Sequence, residues 1–214
     1  MVHDRPLPAL IVDYGEVVSL PQPVADRAAM EAAAGVDPAE FWAAYWAERS
    51  GYDRGRTGGE YWLRVADRCG ARWSAAQVQQ LWSADVASWL RPDPEVVDLL
   101  GALAARGVRL GLLSNAPHGI AGALRASPLL APFAAAVFSC DIGACKPEPA
   151  AYTRALEAVG AGPGGALFVD DRAENVQAAE VAGLTALHYT GPAGLRAFAA
   201  EHLGPEPREA SAAR

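Results

Sequence analysis

The sequence predicts an α/β fold, a doubly wound parallel sheet with an all-helical domain inserted after its first strand. Short apolar runs alternate with helical stretches from residue 92 to 203, and alternating βα units build a parallel sheet with helices on both faces. One isolated apolar run, Leu10-Ile11-Val12, stands near the start of the chain, far from the others. Between them, residues 20–91 read as helix only and hold all six tryptophans: Trp42, Trp46, Trp62, Trp73, Trp82 and Trp89. The expected division is 1–19 with 92–203 for the α/β core, 20–91 for the helical domain, and 204–214 for a frayed tail of Pro, Ala and charge.

Residues 9–19 read as a strand and a turn. Leu20-Pro21-Gln22-Pro23 and Arg91-Pro92-Asp93-Pro94 flank the helical block, and such Pro-rich pairs suit two linkers. Four helices are expected in the block, at about 23–34, 38–50, 58–69 and 75–84. Asp37-Pro38-Ala39-Glu40 offers an N-cap followed by Pro, while Thr57-Gly58-Gly59-Glu60 and Ser74-Ala75-Ala76-Gln77 fit the capping box. Phe41, Trp42, Tyr45 and Trp46 fall on one helical face. Beyond the block, helices are expected at 93–106, 117–126, 147–159, 173–182 and 192–203, and strands at 108–113, 135–139, 166–169 and 184–188.

The 214 residues suffice for one domain with an insertion, and 51% hydrophobic content allows a sizeable core. A net charge of −7 argues against a nucleic-acid binder, which usually shows a basic face. Cys69, Cys140 and Cys145 are odd in number and lack zinc-site spacing, which suits a reduced, cytoplasmic protein. No apolar run is long enough to span a membrane, and residues 1–8 lack the apolar region of a secretory signal.

Asp13 ends the first apolar run and opens the turn Tyr14-Gly15-Glu16-Val17. In open α/β sheets, ligands bind outside the carboxyl ends of the strands. A carboxylate there can attack phosphorus and form an aspartyl-phosphate; alone, it would equally cap the turn. Three later strand ends also carry polar groups. Ser114-Asn115 precede a helix, where a hydroxyl and backbone N–H groups bind a phosphoryl oxygen or simply cap the helix. Lys146, just before Pro147, would neutralise phosphate and keep Asp13 ionised. Asp170-Asp171 follow Ala166-Leu167-Phe168-Val169; adjacent carboxylates favour a cation between them, and hard oxygen ligands point to Mg²⁺. Asp170 is the expected closer ligand, with Asp171 as a ligand, a supporting group or a helix cap. An Asp, a Ser, a Lys and an Asp pair on four strand ends predict a site for phosphate and a divalent metal.

The run Gly160-Ala161-Gly162-Pro163-Gly164-Gly165 matches G-x-G-x-x-G but follows a helix and precedes a strand, the reverse of the dinucleotide-binding order. It reads as a helix stop and loop. His3, His118, His188 and His202 are dispersed and suggest no zinc site.

Asp13-Tyr14-Gly15-Glu16-Val17, Ser114-Asn115, Lys146 and the stretch Val169-Asp170-Asp171-Arg172-Ala173-Glu174-Asn175-Val176 resemble the four motifs of the haloacid dehalogenase (HAD) superfamily. The resemblance covers nearly the whole chain. The helical insert looks like a type 1 (C1) cap, and the subgroup it most resembles is the small phosphatases similar to the N-terminal domain of bifunctional epoxide hydrolases. The resemblance implies a Rossmann-like core and Mg²⁺-dependent hydrolysis of phosphate monoesters, sugar phosphates among them. It implies catalytic roles for Asp13, Ser114 and Lys146, substrate binding by Asn115, and metal binding by Asp13, Asp170, Asp171 and the backbone carbonyl of Gly15. Dehalogenation, which needs no Mg²⁺, is disfavoured by the Asp170-Asp171 pair.

One position departs from the family pattern. The first motif usually has a second Asp two residues after the nucleophile, acting as acid on the leaving alcohol and then as base for water. Here that position is Gly15, and general acid–base catalysis is typically worth about 10²–10⁴-fold. Three outcomes stay open: a substrate with a good leaving group, such as an anomeric or acyl phosphate; a proton from Glu16, His118 or a cap residue such as Asp53; or a catalytically weak phospho-ligand binding or regulatory protein. The segment Gly51-Tyr52-Asp53-Arg54-Gly55-Arg56-Thr57 is expected to join two cap helices. Arg54 and Arg56 would hold an anionic substrate group by forked hydrogen bonds, or face solvent. The Trp-rich helices would pack on one another, line a substrate pocket or form a dimer contact; monomer and homodimer both fit. The linkers would let the cap open.

Overall fold

The computed structural model describes residues 8–205. Residues 1–7, most of the stretch expected to lack a secretory signal, and 206–214, most of the expected frayed tail, lie outside the described residues. Strand β1 (Ala9–Val12) is buried along its whole length. It runs into a tight kinked turn, Tyr14–Val18, in which Glu16 takes a left-handed backbone (φ 56°).

Four helices follow: α1 (Val24–Ala34), α2 (Pro38–Asp53), α3 (Gly58–Arg68) and α4 (Ala75–Trp89). Their starts fall where the caps predict. Asp37 accepts the N–H groups of Ala39 and Glu40, and both capping boxes form, at Thr57 with Glu60 and Ser74 with Gln77. Two ends lie further on than the sequence predicts. Helix α2 continues through Gly51 to Asp53, because Arg49 pairs with Asp53 one turn on at 2.8 Å and Tyr52 stacks on Tyr61 with centroids 4.1 Å apart. Helix α4 continues past 84, because Asp85 is buried against the Tyr45 hydroxyl, which donates to it at 2.6 Å. Asp53 is therefore a helical residue, and the loop between α2 and α3 shrinks to 54–57.

The remaining elements are α5 (Pro94–Ala105), β2 (Leu110–Ser114), α6 (His118–Arg125), β3 (Phe133–Phe138), α7 (Ser139–Ile142), α8 (Pro149–Ala158), β4 (Ala166–Asp170), α9 (Ala173–Val181), β5 (Thr185–His188) and α10 (Pro192–Leu203). The short α7 is not legible in the sequence, and α8 opens at Pro149, which leaves Lys146 and Pro147 in the preceding loop. All strands pair in parallel, in the order β3-β2-β1-β4-β5.

Alternate residues of β1 serve opposite faces of the sheet. Leu10 and Val12 pack with Leu99 and Leu103 of α5, Ile120 of α6 and Phe198 of α10. Ile11 packs on the other face with Tyr152 and Ala155 of α8 and Ala179 of α9. Burial on both faces is why the strands read as continuous apolar runs. The packing above β2 is tight: a Cβ at Gly111 would lie 2.5 Å from Val159 Cγ1 and 3.2 Å from Ile11 Cγ1. Gly111→Ala is expected to lose about 1–3 kcal/mol of stability in urea unfolding; an unchanged midpoint would mean that the Val159 region yields freely.

The helical block has its own core, in which Met30, Phe41, Tyr45, Tyr61, Trp62 and Leu81 are buried together. Trp42, Trp62, Trp73 and Trp82 belong to it. Trp89 joins the sheet's core instead, and Trp46 is 53% exposed. The two crossings between block and sheet run side by side: Leu20 N–H donates to the Arg91 carbonyl, and Asp93 N–H to that of Val18, each at 2.8 Å. No helix among the described residues is long and apolar enough to cross a membrane, and all three cysteines are unpaired.

Candidate active site

The register that pairs Val12 with Leu112 and with Val169 sets the ends of β1, β2 and β4 level. Asp13, Ser114 and Asp170 therefore share one edge of the sheet, where the strand order turns outward in both directions from β1. Lys146 reaches this edge from the loop after α7. Its Nζ lies 2.7 Å from Asp13 Oδ1 and 2.6 Å from Asp170 Oδ2, with all three side chains buried. Asp13 Oδ1 also accepts the N–H of Tyr14 at 2.7 Å, which leaves Oδ2 for chemistry. Burial pushes the Asp13 carboxyl up to about 7, with Lys146 opposing the rise and Asp170 adding to it. Burial works against the Lys146 ammonium, but Asp13 and Asp170 outweigh it and raise its pKa.

Asp170 is held on both oxygens. Oδ2 takes Lys146, and Oδ1 accepts Arg172 N–H and Asn175 Nδ2, each at 2.9 Å. Asn115 grips the Lys146 backbone reciprocally, donating to its carbonyl at 2.9 Å and accepting its N–H at 2.8 Å. Asn115 thus fixes the loop that carries the ammonium.

A cavity of about 560 Å³ opens above this floor. Asp13, Gly15, Glu16, Ser114, Asn115, Lys146, Asp171 and Asn175 line it from the sheet side, and Trp46, Arg49, Asp53 and Trp89 from the helical block. Asp170 is not among the lining residues, whereas Asp171 is. Arg54 and Arg56, the arginines expected to hold substrate, do not line it either. Arg54 forms an ion pair with Glu148, and Arg56 pairs with Glu48 at 2.7 Å. The arginine on the cavity wall is Arg49, held by Asp53 at 2.8 Å and Asp85 at 3.6 Å. The i, i+4 spacing from Arg49 to Asp53 becomes a signal only because the helix runs on to Asp53, past its predicted end at 50. Ser139, which accepts the Ala116 N–H at 2.9 Å and so supports the segment after Asn115, had no signal at all. Of the proton donors considered, Glu16 and Asp53 line the cavity and His118 does not. Gly15 has an ordinary φ of −63°, and a Cβ there would meet only Trp89, at 3.9 Å. Neither backbone nor space requires glycine at that position.

The carboxylate oxygens of Asp13, Asp170 and Asp171 come within 4.8 Å of one another. Beside them Asn175 Oδ1 is buried without a hydrogen-bond partner among the described residues. Clustered hard oxygen donors of this kind fit a cation such as Mg²⁺. The fold also gathers His118, Cys140 and Asp141 within the same distance. Asp141 there is paired with Arg125, and burial raises the Cys140 thiol to about 11, so that group is poorly suited to a metal.

The model of the haloacid dehalogenase-like hydrolases matches residues 7–183. The chain belongs to this family. HAD-like relatives with a named activity include the phosphoglycolate phosphatase of Escherichia coli K12, 36% identical over 98 residues, or 45% of this chain and 39% of the relative. That of Rhodospirillum rubrum is 40% identical over 92 residues, or 42% of this chain and 38% of the relative. The chain thus aligns with about two fifths of the length of these relatives. Among solved HAD structures, a wild-type enzyme from Bacteroides thetaiotaomicron in complex with magnesium and inorganic phosphate superposes with a TM-score of 0.65 at 18% identity, covering 85% of this chain and 93% of that one. The L-2-haloacid dehalogenase of Xanthobacter autotrophicus gives 0.65 at 19% identity, covering 85% and 76%. At these identities the likeness speaks for the fold alone. This HAD-like hydrolase places its four motif segments on one sheet edge, as the fold requires.

Proposed function

We propose that the chain is a Mg²⁺-dependent phosphatase of small phosphorylated metabolites, sugar phosphates or similar, acting through an aspartyl-phosphate. The observation that carries this reading is the buried Asp13–Lys146–Asp170 row at the sheet edge, with one Asp13 oxygen left open to the cavity. Asp13 Oδ2 attacks phosphorus, and the bond to the leaving oxygen breaks. The Ser114 hydroxyl holds a phosphoryl oxygen, and Lys146 offsets negative charge on the transferring group. Asn115 acts through Lys146 by fixing its backbone. Water then attacks phosphorus, releasing phosphate and restoring the Asp13 carboxylate. Asp13, Asp171 and the Gly15 carbonyl, with Asp170 beside them, would hold Mg²⁺, which supplies positive charge for the phosphoryl oxygens. The helical insert serves as a cap, since Trp46, Arg49, Asp53 and Trp89 wall the cavity opposite the nucleophile. The named activity of the relatives and the unpaired cysteines support a phosphatase working in a reducing, cytoplasmic setting.

The test is phosphate release from sugar phosphates, acyl phosphates and p-nitrophenyl phosphate, with Mg²⁺ and with EDTA. Turnover with Mg²⁺ that EDTA abolishes is expected. Gly15, without a side chain, favours one rival: a catalytically weak phospho-ligand binding or regulatory protein. Binding of these esters with no release from any of them would establish that rival instead.

A further inference from the structure

Breaking an alkyl phosphate ester leaves an alkoxide that needs a proton, and the water that follows must lose one. The side chains on the cavity floor have other work. Asp13 attacks, Asp171 belongs to the acidic group, and Lys146 is shared between Asp13 and Asp170. The Tyr14 hydroxyl donates to the Trp89 carbonyl at 2.7 Å, and Glu16 is exposed.

One more carboxyl faces the cavity, that of Asp53 on the opposite wall. It is 8% exposed. Its Oδ1 accepts Arg49 Nε at 2.8 Å, and Oδ2 has no donor among the described residues. Three links fix it relative to Lys146. Ser139 Oγ donates to the Asp53 carbonyl at 2.5 Å. Arg54, the next residue, donates to the Gly143 carbonyl at 3.2 Å and pairs with Glu148. Glu148 Oε1 in turn accepts the N–H of Cys145, the residue before Lys146, at 3.1 Å. A side chain whose backbone is tied to the loop of the catalytic ammonium keeps its place across the cavity.

Resting on the phosphatase reading above, we propose that Asp53 is the acid and base of the reaction, supplied by the helical insert. In the first step the Asp13 oxygen–phosphorus bond forms, the phosphorus–leaving-oxygen bond breaks, and the Asp53 carboxyl gives its proton to the leaving oxygen. In the second, water attacks phosphorus, the Asp53 carboxylate takes the water's proton, and the bond to Asp13 breaks. Asp53 ends protonated, ready for the next ester. The charged groups facing it are Arg49 on its own helix, Asp85 on α4 and Arg172 after β4. Burial raises its pKa to about 6 against the opposing pull of Arg49, which keeps a protonated fraction near neutral pH.

The experiment compares wild type, Asp53→Asn and Glu16→Gln on an alkyl phosphate and on p-nitrophenyl phosphate, whose leaving anion needs no proton. Asparagine keeps the acceptor for Arg49, and the first equivalent of p-nitrophenolate released reports folding within each sample. Asp53→Asn is expected to lower kcat on the alkyl ester by about 10²–10⁴-fold, yet to release the first equivalent of p-nitrophenolate within a few-fold of the wild-type rate before turnover slows, because the aspartyl-phosphate then lacks its base. A first release of p-nitrophenolate slowed as much as the alkyl ester, no loss on either substrate, or the same pattern in Glu16→Gln instead would overturn the proposal. Wild type that turns over p-nitrophenyl phosphate but no alkyl ester would also overturn it, while leaving the phosphatase reading in place. Wild type inactive on every ester would sink that reading itself.

Discussion

Asp13→Asn is expected to stop phosphate release while the protein stays folded. An amide cannot open the covalent route, and kcat should fall by at least about 10³-fold. The Asn carbonyl can still accept the Tyr14 N–H that Asp13 Oδ1 accepts at 2.7 Å. The substitution also has a signature in stability. Without metal, the folded Asp13 carboxyl titrates at about 7 against an ordinary 3.8. A group raised in this way contributes its stability in full below the unfolded value and loses it as pH climbs through the folded one. Wild type should therefore lose stability at this position between about pH 4 and pH 7, and asparagine, which does not titrate there, should not. Thermal melts of both proteins in metal-free buffer over that range check this. The difference in Tm should move toward the variant as pH rises, and a constant difference would refute the account of Asp13 as a carboxyl kept ionised at a cost.

Lys146→Met should have the largest effect on the fold. Methionine nearly matches the length of lysine, so the change removes charge more than volume. It leaves Asp13 and Asp170 buried without the ammonium that sits 2.7 and 2.6 Å from them. Breaking a buried pair from one side costs about 3–5 kcal/mol, and phosphate release should be lost with it. Urea unfolding near neutral pH, without metal, measures the cost. Adding Asp170→Asn should restore part of the loss, because one of the two carboxyl groups that faced the ammonium is then neutral. A penalty below about 1 kcal/mol would mean that Lys146 is not the counter-ion that the distances make it.

The parts of the site that sit on strand ends were readable in the sequence. A buried strand announces itself as an apolar run, and the polar residue that closes it must lie at the sheet edge, which is how Asp13, Ser114 and Asp170 stand out. The cap wall was not readable in this way. Which arginine faces the cavity depends on partners remote in the chain: Arg54 is drawn away by Glu148, and Arg56 by Glu48. Arg49 falls within the helix predicted at 38–50, but Asp53 joins it on α2 because that helix outruns its predicted end, and Tyr52 stacking on Tyr61 of the next helix is a tertiary cause. Asn115 follows Ser114 at the end of an apolar run, but its grip on the Lys146 backbone is visible only in three dimensions.

The position of β1 bears on how the molecule folds. It lies at the centre of the sheet, yet its neighbours β2 and β4 begin at Leu110 and Ala166. The whole helical block must be made, or at least looped out, before the first pairing closes. Loops of this length carry an entropic cost before any contact repays it, and such topologies fold slowly. Asp13 meets Lys146 only when the central strand is seated between both partners. The proposed nucleophile is thus brought to Lys146 only by long-range closure, and a chain in which β1 has not yet paired does not present this arrangement.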